Sequence, residues 1–305
     1  MPPRRRLLAS PPPCRRRCCQ ALNKAGRPCG IASDSKALDA SGRPAAAPLL
    51  RGGARCSFHA RWFCTLPLEL AELKTAPLLV YLDLETTGLS LASDEIVEIG
   101  LWADASRAAF STVVKPADDS TAKDAGAVHG ISLEELRDGP AFADAFRRVA
   151  AFLEKLVDAA LSDDESSGDE GAEPDGPPRL RSHAPSVLLA AHNGRRFDFG
   201  MLLSQCYRCN VPVDALDAWL YVDTLDVLRA AADDSGACSK LQCQRIGRRL
   251  PAQAHAHRAL DDCRTLASVM QSLAESLGQR PCELLTRFAF KLDLVASAAE
   301  LSSLL

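Results

Sequence analysis

The sequence predicts an α/β domain with a mixed central sheet flanked by helices, entered through an irregular basic N-terminal arm. Three observations carry this. From about residue 76 short apolar runs with period-two alternation come first, segments with apolar residues at helical spacing follow, and the two kinds then alternate. Residues 1–66, by contrast, are rich in Pro, Arg, Gly and Ala and keep no period. With 47% hydrophobic and 25% charged residues in 305, the chain can bury one substantial core.

The first strand is written "LLVYLDLETTGL", residues 78–89. Its two acids, Asp83 and Glu85, share a face, where their mutual repulsion and burial are tolerable only against positive charge. That placement points to a bound cation. "DEIVEIGLWAD" alternates like a second strand and "AFSTVVKP" like a third, ended by Pro116, and the simplest arrangement is an antiparallel meander. "SLEELRDGP" and "AFADAFRRVAAFLEKLVDAAL" read as helices, the second with Phe142, Phe146, Val149, Phe152, Leu153 and Leu156 recurring at helical spacing. An insertion over 162–183 interrupts the pattern, with seven acids and no base in residues 163–175, the composition of a disordered surface segment. "SVLLAAHNG" is a short strand leading into the helix "RRFDFGMLLSQCYRC"; "WLYVDTLDVLRAAA" and "KLQCQRIGRRL" are further short elements. "HAHRALDDCRTLASVMQSLAESLG" is a long amphipathic helix behind two histidines, and residues 276–305 form a helical tail.

Charge is distributed unevenly. Residues 1–64 hold thirteen Lys and Arg against Asp34 and Asp39, a surplus of 11, which leaves the remainder at −14. No apolar run reaches the roughly 20 residues of a membrane-crossing helix, so an intracellular protein without a membrane partner is expected. Twelve cysteines in a chain of this length read as reduced thiols, some of them metal ligands. Cys206 with Cys209, and Cys238 with Cys243, read as packing thiols.

Three ordered motifs resemble a known family. "YLDLETTGL", "AHNGRRFDFGML" and "HRALDD" are similar to the three exonuclease motifs of the DnaQ-like 3′-to-5′ exonucleases. The third has the H-x-A-x-x-D form of the histidine-using (DEDDh) subgroup, and "AVHGIS" resembles a segment of proofreading exonucleases. The second motif leans toward the three-prime repair exonucleases. The resemblance covers residues 76–275 and implies an RNase H-like fold. It further implies that Asp83, Glu85, Asp198 and Asp262 hold two Mg²⁺ or Mn²⁺ ions and that His257 is the general base. His255 competes for the last role, and the H-x-A-x-x-D alignment favours His257. Thr86, Thr87 and Gly88 would contact the terminal nucleotide, Leu89 would wedge against the last base, and Asn193 would bond substrate or hold its own loop. Arg195 and Arg196 are candidates for phosphate contacts, and His129 and His192 for structural or substrate-facing places.

The implied activity is metal-dependent removal of nucleoside monophosphates from single-stranded or frayed 3′ ends, with DNA favoured. An exoribonuclease and an inactive nucleic-acid-binding protein are the alternatives, and several relatives of this kind pair as homodimers. In the arm, Cys19, Cys29, Cys56 and His59 resemble the ligands of small zinc modules, with Cys18 able to replace Cys19. The same Arg-rich, acid-poor stretch also resembles an organellar transit peptide, which would place the protein in an organelle rather than the nucleus or cytoplasm. Incidental cysteines in disordered sequence are the third reading.

Overall fold

The structure is a computed structural model that describes residues 65–68, 73–117, 126, 129–166, 183–232, 238–252, 257–294 and 297. Cys19, Cys29, Cys56, His59 and His255 lie outside the described residues, as does residue range 167–182 of the acidic insertion.

Strands β2 (Leu78–Thr86), β3 (Ile96–Ala103) and β4 (Ala108–Val113) form the expected antiparallel meander. Strand β5 (Val187–Ala191) adds parallel to β2, and β6 (Leu220–Asp223) parallel to β5. Short antiparallel strands β7 (Phe290–Leu292) and β1 (Thr65–Pro67) complete a seven-stranded mixed sheet in the order β1-β7-β6-β5-β2-β3-β4. The mixed central sheet flanked by helices is therefore present as expected. Every residue of β5 is buried, which fits its unbroken apolar text "VLLAA" and its place between two parallel neighbours. Every residue of β3 is buried too, so the apparent alternation around Glu98 does not mark a solvated face.

Eight helices are described among these residues: α1 (Leu133–Arg137), α2 (Phe142–Ser166), α3 (Asp198–Arg208), α4 (Asp214–Ala218), α5 (Thr224–Ala231), α6 (Leu241–Gly247), α7 (Ala259–Ser276) and α8 (Pro281–Thr286). None is long and apolar enough to cross a membrane. Helix α2 continues through Ser166, into the stretch expected to be insertion.

The sheet separates two cores. Val80, Leu82 and Leu84 of β2 share one with Phe146 and Leu153 of α2 and Phe199 and Leu203 of α3. Tyr81 of β2 belongs to the other, with Cys263, Leu266 and Met270 of α7. Because side chains alternate along a strand, Asp83 and Glu85 follow Tyr81 onto the α7 side.

How closely α7 approaches the sheet depends on one missing side chain. Gly100 of β3 pairs with Asp83, and a Cβ there would meet the Leu260 nitrogen at 2.5 Å and the Ala259 oxygen at 2.8 Å. The backbone of the first turn of α7 thus lies on the backbone of β3. The Cys263 thiol donates to the Gly100 carbonyl at 3.3 Å and fixes the same contact.

Four expectations are corrected. The tail is not wholly helical: after α8 the chain forms β7, where Phe290 and Leu292 are buried and Lys291 is not. The end of the basic arm likewise is not irregular, since Thr65–Pro67 pairs with β7. Three-residue strands are created by their partners and leave no local periodic signal. Cys238 and Cys243 are joined in a disulfide, their Cα atoms brought to 5.9 Å by the turn into α6. Cys206 is buried as a packing thiol, but Cys209 is exposed.

Gly100→Ala is expected to destabilise the fold by about 1–3 kcal/mol, because backbone rather than a yielding side chain occupies the space its methyl would need. Urea denaturation measures the loss; a variant as stable as the parent would show that α7 can retreat from the sheet.

Candidate active site

Three segments far apart in the chain meet at the end of β2. Strand β2 contributes Asp83 and Glu85, α3 contributes Asp198 as its first residue, and the first turn of α7 contributes Asp262. Ligand atoms of Glu85, Asp262 and His257 all lie within 4.8 Å of one another. Asp83 feels the charges of Asp198, Asp262 and Glu85 together, and Asp198 accepts a hydrogen bond from the Leu84 backbone N–H. The five residues assigned to catalysis from the motifs are thus neighbours. His255 is not among the described residues.

The electrostatics are those of a cluster of anions. Burial, followed by repulsion from Asp198, Asp262, Glu85 and Glu98, raises the Asp83 carboxyl well above the usual carboxylate range. Glu85 is pushed up to about 8, mainly by burial and by Asp262, with partial relief from Arg258. Asp198, only 3% exposed, rises to about 7, chiefly through burial and with Asp223 adding to it. A divalent cation with hard-oxygen preference fits the donor set of carboxylates and one imidazole, Glu85, Asp262 and His257 among them.

His257 is exposed and has φ +63°, a left-handed conformation that costs a non-glycine residue energy. The next residue supplies the restraint. The Arg258 guanidinium donates to both oxygens of Glu98 at 3.0–3.2 Å and to Glu135 at 3.2 Å. Glu98, 1% exposed, also accepts from the Ala259 N–H at 3.0 Å and the Ser111 hydroxyl at 3.2 Å. This ion pair fastens the segment before α7 to β3 and so positions His257. His129, from the "VHGIS" segment, is buried beside the same charges and accepts from the Ile131 N–H at 3.1 Å, and burial lowers its pKa. Glu98 was legible by the rule that singled out Asp83, an acid inside apolar strand text; its partner was not.

A second buried acid, Asp223, organises the loop that precedes α3. Its carboxylate accepts from the backbone N–H groups of Asn193 at 2.9 Å, Arg195 at 3.1 Å and Leu225 at 2.9 Å, the last capping α5. Asn193 has φ +65°, so its place in the loop is set by backbone shape and this bond. Arg195 is not a free phosphate contact: it pairs with Asp226 at 3.3 Å, donates to the Thr65 hydroxyl at 3.0 Å and lies 3.7 Å over the Phe290 ring. His192 sits half-buried, its Nδ1 3.2 Å from the Thr224 hydroxyl, and burial pushes it down to about 4.

The turn after β2 is held from within. The Thr86 hydroxyl donates to the Gly88 carbonyl at 2.7 Å, and the Thr87 hydroxyl accepts from the Glu95 N–H at 2.9 Å. A Cβ on Gly88 would lie 2.5 Å from the Asp94 carboxylate, so Asp94 fills the space that this glycine leaves open. Asp94 in turn accepts from the Ser90 N–H at 2.6 Å. Leu89 projects from the tip at 82% exposure.

Comparison with known proteins accords with this site. The chain belongs to the RNase T-type exonuclease family, whose profile matches residues 80–162 and 181–270 and so takes in all three motifs. It is 27% identical over 238 residues to an exonuclease of Arabidopsis thaliana, DPD1, described as chloroplastic/mitochondrial; the match covers 76% of this chain and 66% of that protein. Among solved structures it is similar to cell-death related nuclease 4 (CRN-4), at 16% identity and TM-score 0.45, over 67% of this chain and 66% of that one. Another is E. coli exonuclease I in complex with a dA16 oligonucleotide, at 19% identity and TM-score 0.45, over 68% of this chain and 42% of that one.

The raised carboxyl pKa values fix a pH dependence. Each folded value exceeds the unfolded one, so the folded state binds more protons between about pH 4 and 8, and stability of the metal-free protein falls as pH rises through that window. Millimolar Mg²⁺ is expected to raise the melting temperature more at about pH 8 than at about pH 5. Asp83→Asn should raise the metal-free melting temperature at the higher pH while abolishing the gain from Mg²⁺. Equal gains at both pH values in calorimetry would contradict the cluster.

Proposed function

We propose that the protein is a metal-dependent 3′-to-5′ exonuclease that hydrolyses phosphodiester bonds at nucleic-acid 3′ ends, preferring DNA, and releases nucleoside monophosphates. The observation that carries this reading is the convergence of Asp83, Glu85, Asp198 and Asp262 beside His257.

In this reading the four carboxylates hold two Mg²⁺ ions, with Mn²⁺ as a substitute. Such ions, when bound, supply a lowered pKa for water and charge relief on the phosphoryl oxygens. The ring nitrogen of His257 that faces Glu85 and Asp262 takes the proton from the attacking water. The water oxygen bonds to phosphorus, the bond from phosphorus to the 3′-oxygen breaks, and that oxygen leaves as the new 3′-hydroxyl by taking a proton from solvent. The Thr86-Thr87-Gly88 turn, prearranged by its own hydrogen bonds, presents backbone to the terminal nucleotide and Leu89 to its base. Asn193 contributes by shaping the loop that sets Asp198. Arg258 acts through His257 as a positioning residue. The preference for DNA is supported by the likeness of "AHNGRRFDFGML" to the three-prime repair exonucleases.

For the arm, the organellar leader is favoured over the zinc site of Cys19, Cys29, Cys56 and His59. It is supported by the Arg-rich, acid-poor composition and by the chloroplastic/mitochondrial description of the plant relative.

Digestion of matched 3′-labelled DNA and RNA oligonucleotides tests the reading. Cleavage is expected with Mg²⁺ or Mn²⁺ and not with chelator, faster on DNA. Asp83→Ala should reduce it at least about a thousandfold and His257→Ala about a hundredfold. Arg258→Lys keeps the charge but loses the two-oxygen fork, so kcat should fall about tenfold with KM little changed. An Asp83→Ala protein that cuts at the parental rate would refute the site.

A further inference from the structure

A polyanionic strand must reach this centre across a body whose net charge, over residues 65–305, is −14. One stretch departs from that background. Residues 238–260 contain Lys240, Arg245, Arg248, Arg249 and Arg258 and no acid, and they run directly into His257 and the first turn of α7. Only part of this charge is consumed internally. Arg258 is committed to Glu98 and Glu135, and Arg245 donates to the carbonyls of Leu250 at 3.2 Å and Pro251 at 3.0 Å, closing the end of α6. Arg248 makes a long contact with Gln244 at 3.4 Å, and its buried Nε has no hydrogen-bond partner among the described residues. Lys240 and Arg249 are exposed at the two ends of the helix.

Between these cations stands Ile246 at 64% exposure, one of two large apolar side chains so exposed among the described residues. The other is Leu89, at the turn beside Glu85. A hollow of about 210 Å³, lined by Arg245, Leu250, Pro251, Asp261, Arg264 and Thr265, joins α6 to the turn of α7 that bears Asp262. The hollow opens on the face of α7 that carries Asp261, Arg264 and Thr265, so the basic ridge packs beside the start of the helix whose first turn bears Asp262. Cations flanking an exposed apolar side chain match the two chemical faces of a single strand, phosphates on one side and base or sugar surface on the other.

We propose that Lys240, Arg248 and Arg249, with Ile246, form a track for the single-stranded nucleic acid that lies upstream of the 3′ end held at the centre, read through its phosphodiester backbone. The identity of the strand as substrate rests on the exonuclease reading; the presence of the track does not.

The test uses the full chain and two readouts. Fluorescence anisotropy in chelator follows binding of a labelled oligothymidylate of about 30 nucleotides, and Mg²⁺-dependent hydrolysis of a thymidine dinucleotide reports on the centre alone. Lys240→Glu combined with Arg249→Asn, an exposed pair whose second change suits the left-handed φ of +56° at that position, is expected to weaken oligothymidylate binding about tenfold. The slope of log affinity against log salt should flatten by about 1.4, the value for two lost single-strand phosphate contacts. Dinucleotide hydrolysis should change by less than about twofold, and Ile246→Ser should lower affinity without altering the salt slope. Unchanged affinity and slope in the charge variant, or an equal loss with the dinucleotide, would overturn the track. If the parental protein leaves the dinucleotide intact, the exonuclease reading fails separately, and the anisotropy result still decides whether the track exists.

Discussion

Repulsion among four carboxylates sets the terms on which their surroundings are built. Asp83, Glu85, Asp198 and Asp262 come from three stretches of chain, and the other three together raise the cost of ionising Asp83. A fold relaxing freely would separate them. What prevents this is neutral and close-packed: an apolar strand buried between two cores, and a helix whose first turn rests on backbone at Gly100. Packing free energy holds the anions together, and a divalent ion can then recover part of that cost as affinity.

Two other buried acids do a different task. Glu98 and Asp223 are at least as inaccessible as Asp198, yet both meet several donors, Glu98 those of Arg258, Ser111 and a backbone N–H, Asp223 those of three backbone N–H groups. Each fixes the loop that carries a member of the centre. Burial alone therefore does not separate the roles; what surrounds each carboxylate does. Glu98 and Asp223 face donors that fix loops, whereas Asp83 and Glu85 face other carboxylates, the arrangement that suits a cation.

The sequence made the first group easier to find than the second. Asp83, Glu85, Asp198 and Asp262 stand in ordered motifs, and an acid pair inside apolar strand text has few bland explanations. Glu98 carries the same signal in "IVEIG", but its meaning depends on Arg258, 160 residues later. Arg195 shows the converse difficulty. From the text it is a cation near the cleft, whereas its partners Asp226, Thr65 and Phe290 are set by tertiary pairing alone. The strands at Thr65–Pro67 and Phe290–Leu292 escaped for the same reason: each exists because the other is there. Periodicity reveals what a segment buries, not which distant segment completes it.

That last pairing bears on how the basic arm can be trimmed. Thr65 is the first described residue of the chain, and its hydroxyl accepts from Arg195, which sits in the loop leading to Asp198. A chain shortened past Thr65 would therefore lose an edge strand and loosen the loop that orients a carboxylate of the centre.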